Sequence, residues 1–125
     1  MNQALAPRLH DLLTAGEPVV LVEVAVAKGS TPREAGAVML VTATACLGTI
    51  GGGRLEWEGI AGARQLLDEG GHARLLELPL GPAVGQCCGG HVTLRLVRAG
   101  AADLGALEAA ERAAAAGLPL VLLFG

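Results

Sequence analysis

The sequence predicts an α+β fold: a small mixed sheet with flanking helices, closing on one strand of a further α/β unit. Three observations predict it. Valines alternate through 20–26, and Val92, Leu94 and Leu96 alternate with Thr93, Arg95 and Val97. That is the two-residue period of a strand with a buried face. Leu55, Gly59, Ile60, Ala63, Leu66 and Leu67 recur at helical spacing. Glycine, 19 of 125 residues, clusters at 51–53, 70–71 and 89–90, between these segments.

The elements follow in order. Leu5, Leu9, Leu12 and Leu13 mark an amphipathic helix that Gly16 can stop. Pro18 to Ala27 reads as a strand with Glu23 as its only charge. The run Gly29-Ser30-Thr31-Pro32-Arg33 cannot easily continue that strand and reads as a loop. Ala37 to Thr42 and Ala45 to Ile50 form a hairpin across a link of a couple of residues. Gly51 to Gly53 break the pattern, a helix follows, and Gly70-Gly71 end it. Arg74 to Leu78 is a strand, and Pro79 to Gly90 a loop. Val92 to Val97 is a half-buried strand. Ala101 to Ala116 is an alanine-rich helix, and Leu118 to Phe124 a wholly apolar strand that ends in Gly125. A buried strand ending in glycine is how a dinucleotide-binding βαβ unit begins. Residues 1–98 are therefore expected to form one domain, and 99–125 a linker helix with the first strand of an absent second domain.

Composition narrows the function. Half the residues (52%) are apolar, enough for a core in a chain of this length, and only 17% are charged. Nine basic side chains against twelve acidic give a net charge of −3, with one Phe, one Trp and no Tyr. Nucleic-acid binding, which needs phosphate neutralisation and base stacking, is disfavoured. The apolar run near 113–124 is interrupted by Gly117 and Pro119 and falls short of the ~20 residues of a membrane span. No secretory signal stands at the N-terminus, and three cysteines cannot close a disulfide framework, so a cytoplasmic location is expected.

Three motifs could carry chemistry. In Thr49-Ile50-Gly51-Gly52-Gly53-Arg54-Leu55-Glu56 a strand enters, glycines turn and a helix leaves. Free N–H groups at a helix start bind anions, and glycine lets an anion approach the backbone. Arg54 in the first turn is electrostatically unfavourable unless an anion relieves it. The plain alternative is a glycine turn with a solvated Arg54. Gly29 to Arg33 adds two hydroxyls and a second arginine, although Arg33 and Glu34 could equally be a surface ion pair. Two loops that each leave a strand and end in arginine fit one pocket for a phosphate-bearing ligand. In Gly85-Gln86-Cys87-Cys88-Gly89-Gly90, adjacent cysteines disfavour a relaxed disulfide, and nothing nearby completes a zinc site. A soft thiolate on a glycine loop, or two small buried side chains, remain. Cys46 lies within a strand and is expected in the core. His10, His72 and His91 belong to no motif.

Together these stretches resemble the XdhC/CoxI family of accessory proteins for molybdenum hydroxylases such as xanthine dehydrogenase. The resemblance rests on G-S-T-P-R at 29–33, G-A-V-M at 36–39, G-T-I-G-G-G-R-L-E at 48–56 and L-G-P-A-V-G-Q-C-C-G-G at 80–90. It implies a cofactor chaperone rather than an enzyme. Such a protein binds the molybdenum cofactor, as molybdopterin or its dinucleotide form. It assists sulfuration with a cysteine desulfurase and inserts the cofactor into an apo molybdenum hydroxylase. It further implies that Gly51, Gly52, Gly53 and Arg54, with Arg33, hold the cofactor's phosphate end. Gln86, Cys87 and Cys88 would serve its other end, the two cysteines at the metal. The family also implies a C-terminal Rossmann-like domain, of which 118–125 would be the first strand. A second copy of the chain is a further expected partner. The competing reading is a fragment of a nucleotide-binding oxidoreductase, although no complete G-x-G-x-x-G follows a strand.

Overall fold

The computed structural model describes residues 5–28, 36–80, 90–100 and 105. Helix α1 (Leu5–Thr14) leads into β1 (Val19–Lys28), followed by β2 (Val38–Val41), β3 (Cys46–Gly48), α2 (Gly53–Glu69), β4 (Ala73–Leu80) and β5 (Gly90–Ala99). The strands form one sheet in the order β3-β2-β1-β5-β4. Every described pairing is antiparallel, so the α+β class stands and the sheet is antiparallel rather than mixed. No βαβ crossover occurs among the described strands. The predicted helix at 101–116 and strand at 118–124 lie outside the described residues, apart from Gly105.

The helices take opposite faces of the sheet. Leu5, Leu9 and Leu13 of α1 pack with Val19, Leu21, Leu40, Val97 and Ala99. Leu55, Ala63 and Leu66 of α2 pack with Val20, Val22, Val24, Met39, Val41, Ile50, Val92, Leu94 and Leu96. Apart from Glu23, strand β1 is thus apolar on both faces through Val24, because odd and even positions are filled on each side. Two glycines let α2 lie close to the sheet. A Cβ on Gly59 would stand 3.2 Å from Met39 Cε and 3.3 Å from both Leu94 Cδ1 and Val22 Cγ1. One on Gly62 would meet Leu76 Cδ1 at 2.7 Å.

The helix ends follow the glycines. Gly16 adopts φ +78 after α1, and its N–H donates to the Leu13 carbonyl at 3.0 Å. Gly70 closes α2 in the left-handed conformation, φ 71. The hairpin link between β2 and β3 spans 42–45. Thr42 Oγ1 fastens it, accepting from the N–H groups of Ala45 (3.0 Å) and Thr44 (3.3 Å).

Several boundaries differ from the sequence reading. Strand β4 runs through Pro79 to Leu80, where a loop was expected. Pro79 is tolerated because β4 is a sheet edge, where a missing N–H breaks no ladder. Strand β5 begins at Gly90, two residues earlier than expected. The third strand covers only Cys46–Gly48, because Gly48, at φ +83, starts the turn toward α2. Cys46 corrects a further expectation: it is exposed, not core. It sits on the outermost strand, where Leu47 alone turns into the α1 cluster.

Candidate functional site

The turn from β3 into α2 has a backbone that only glycine holds without strain. Gly51, Gly52 and Gly53 have φ of 137, 71 and 63 in succession. Gly52 is the N-cap of α2 and, lacking a side chain, offers no side-chain cap. A Cβ on Gly52 or Gly53 would meet nothing within 4 Å. The N-cap position itself supplies no side chain to the start of α2, and the space beside Gly52 and Gly53 is open, as an anion-receiving helix end requires.

The loop just before it is held by an acid from within. Glu56 Oε1 accepts from the N–H groups of Ile50 and Gly52, each at 3.1 Å, and from the Thr49 hydroxyl. Thr49 Oγ1 in turn accepts from the Gly51 N–H at 3.1 Å. This is a capping-box-like return of a first-turn acid onto the backbone ahead of its helix. Burial alone would raise the Glu56 carboxyl. The hydrogen bonds from Thr49 and from the Gly52, Ile50 and Gly51 backbone outweigh it, and the group titrates below its ordinary value.

Arg54 is not left to an external anion. Its Nε pairs with Glu58 Oε1 at 3.1 Å, one turn along α2, with the arginine side chain more than half exposed. The relief that the sequence reading assigned to a ligand is thus partly supplied by the chain. The Arg54–Glu58 spacing of four residues was visible in the sequence. The role of Glu56 was not, because a first-turn acid is ordinary until the positive-φ turn ahead of it is known.

The sheet sends three motif-bearing segments off in one direction. Lys28, the last residue of β1, pairs with His91, and Leu80, the last of β4, pairs with Gly90. Gly36 and Ala37 bond across to Val24, and Gly48 pairs with Met39 just inside the start of β2. The chain therefore leaves for 29–35 and 81–89 at one end of the sheet, and turns through 49–52 into α2 in the same direction but level with Val22, short of that end. Of the candidate site residues, Gly51, Gly52, Gly53 and Arg54 are brought together there. Arg33, Gln86, Cys87 and Cys88 lie outside the described residues. Among the described residues, no group of three or more His, Cys, Asp or Glu side chains could hold a metal ion. No described helix is long and apolar enough to cross a membrane.

One charged group stands apart from this end turn. Glu23 on β1 is only 7% exposed, on the face that α1 covers, between Val38 of β2 and Arg95 of β5. Desolvation raises its carboxyl, and the Arg95 guanidinium offsets this only in part.

Comparison with known proteins gives two findings. The family model described as the XdhC and CoxI family matches residues 12–79. A crystal structure described as a xanthine dehydrogenase from Bacillus halodurans shares the fold with a TM-score of 0.70 and 22% identity. That match covers 90% of this chain and 35% of the other, so the chain spans about a third of that protein's length. No curated protein matches the chain.

Proposed function

The chain belongs to the XdhC and CoxI family, and from that premise we propose that it is an accessory protein to a molybdenum hydroxylase of the xanthine dehydrogenase type. Its task on this reading is to hold the molybdenum cofactor, assist its sulfuration beside a cysteine desulfurase, and release it to the apo-enzyme. It acts as a carrier and not as the catalyst of a metabolic reaction. The cell compartment that suits this work is the cytoplasm.

One observation carries the reading. Three motif segments leave the sheet in the same direction, 29–35 and 81–89 from its end and the turn at 49–52 from further back along β1, where α2 starts without an N-cap side chain. The donor set there fits the cargo. A pyranopterin cofactor ends in a phosphate, or in a pyrophosphate in its dinucleotide form. Gly52 and Gly53 leave room for such a group beside the first turn of α2, past the Gly52 N–H that Glu56 already holds, and the helix dipole favours its charge. Arg54 lies in the same turn and, being largely exposed, can exchange Glu58 for a phosphate at small cost. Arg33 would add a second guanidinium. Gln86, Cys87 and Cys88 would attend the metal end, where thiolates suit a centre already bound by sulfur. When bound, the cofactor supplies a molybdenum centre with a labile terminal sulfur. The chain's part is to hold the phosphate end and keep the other end shielded.

The test is retention of a fluorescent, molybdenum-bearing pterin through purification from cells that make the cofactor. The parent chain should retain it. Arg54→Ala should retain less, and Gly52→Val least, because a β-branched residue at φ +71 both strains the turn and blocks the backbone. Circular dichroism should show both variants folded. Equal retention by all three would remove the glycine turn from the site.

A further inference from the structure

Strand β4 shows a sharp asymmetry between its faces. Leu76 and Leu78 pack under α2, and Arg74 is fastened to Glu69 of that helix at 2.8 Å. Its other residues, Ala73, Leu75, Glu77 and Pro79, are all exposed, and Leu75 is 65% exposed. They lie on the face of the sheet that α1 shares. The α1 cluster, however, draws only on β1, β2 and the Val97–Ala99 end of β5, and no residue of β4 joins it. The outer half of that face carries no described cover.

The charges on this half are arranged about the leucine. Leu75 pairs in register with Arg95 of β5, and Glu77 lies two residues further along β4 on the same face. On its other side Arg95 faces the buried Glu23 carboxyl of β1, which it attracts, and Glu77 makes no salt bridge among the described residues. With strands about 4.8 Å apart and a rise of about 3.4 Å per residue, Arg95 stands about 5 Å to the side of Leu75 and Glu77 about 7 Å along from it. A patch with an apolar centre, a cation to one side and a carboxylate in the perpendicular direction is complementary to itself. A two-fold axis lying diagonally in the plane of the face sets Leu75 over Leu75 of the partner subunit. The same axis sets Arg95 opposite Glu77 of the partner subunit, twice.

We propose that this face is where a second copy of the chain docks, face to face, centred on Leu75 and closed by two reciprocal Arg95–Glu77 pairs. The exposed residues described on β4 number four, Ala73, Leu75, Glu77 and Pro79, against about 20–30 residues a side in a standard stable interface, so the dimer forms and dissociates with concentration rather than being obligate. The pairs are solvent-rimmed and weaken with salt.

Sedimentation velocity over a wide concentration series of the full chain tests this. The parent should pass reversibly from monomer to dimer, with a dissociation constant that rises with added salt. Leu75→Arg puts two like charges on the axis and should raise that constant at least tenfold. Glu77→Arg, facing Arg95 of the partner subunit, should raise it several-fold. Asp68→Arg, the same change of charge at an exposed position of α2 on the other side of the sheet, should leave it unchanged. All the substituted side chains are exposed, so folding should be preserved, and circular dichroism checks it. A parent that stays monomeric at every concentration overturns the proposal. So does a dimer indifferent to Leu75→Arg and Glu77→Arg, which would place the second copy, or other residues of the chain, on a different surface.

Discussion

The two faces of the sheet are built from the same alternating strands and end in different states. Under α2 the apolar surface runs unbroken from β2 across β1 and β5 to β4, and the helix sits close because Gly59 and Gly62 remove the side chains that would hold it off. Under α1, among the described residues, the apolar surface stops after β1, β2 and the end of β5. A half-buried arginine, a buried carboxylate and an exposed leucine follow. Alternation alone therefore does not say which face is core. The length of the covering helix does: α2 has 17 residues and α1 has 10.

The contrast can be broken most strongly at equivalent leucines. Leu94→Ala, in the fully buried α2 face, should cost about 2–5 kcal/mol in denaturant unfolding, whereas Leu75→Ala should stay within about 0.5 kcal/mol. Similar losses at both sites would mean the outer half of the α1 face is covered after all. Next in size is Gly59→Val. Its added carbons enter a space already bounded at 3.2–3.3 Å, and overpacking should cost about 1–3 kcal/mol. An unchanged midpoint would show that α2 can ride outward freely.

Glu56→Ala should cost about 1 kcal/mol at neutral pH, since it strips the acceptor from the Ile50 and Gly52 N–H groups. Because the folded carboxyl titrates below its ordinary value of 4.5, its contribution is complete above that pH and is lost as the pH falls through the folded value. Parent and variant should therefore converge in acid. The smallest effect is expected at Glu23, and its sign is opposite. Burial raises this carboxyl, so the ionised form weakens the fold at neutral pH and the penalty fades as the pH falls toward 4.5 and below. Glu23→Gln should raise the melting temperature at pH 7 and leave it unchanged in acid. A lower melting temperature at pH 7 would instead make the attraction to Arg95 the larger contribution.

Much of this was legible in the sequence, for identifiable reasons. Both described helices were set by leucine spacing and by glycines at their ends. Strand β5 followed from the alternation of Val92, Leu94 and Leu96 with more polar neighbours. What stayed hidden depends on neighbours distant in the chain. Cys46 reads as core because its strand is apolar, yet its exposure follows from β3 being the sheet edge. Pro79 reads as a strand stop, yet an edge strand accepts it. The glycine turn was recognisable from Gly51 to Gly53, but its internal occupant Glu56 and the partner of Arg54 required the backbone path. The common direction in which the three motif segments leave the sheet comes from strand order, which no local pattern encodes.

The central claim is that the segments leaving the sheet in this direction carry the molybdenum cofactor to a hydroxylase. The most direct measurement is reconstitution of an apo molybdenum hydroxylase with cofactor, a cysteine desulfurase and the chain. Hydroxylase activity is the readout, with bound molybdenum determined by mass spectrometry. The account predicts strong activation by the parent chain, little by Gly52→Val, and reduced activation by the Cys87→Ser, Cys88→Ser double variant. Activation by the Gly52→Val protein equal to that of the parent, with equal molybdenum bound, would contradict it.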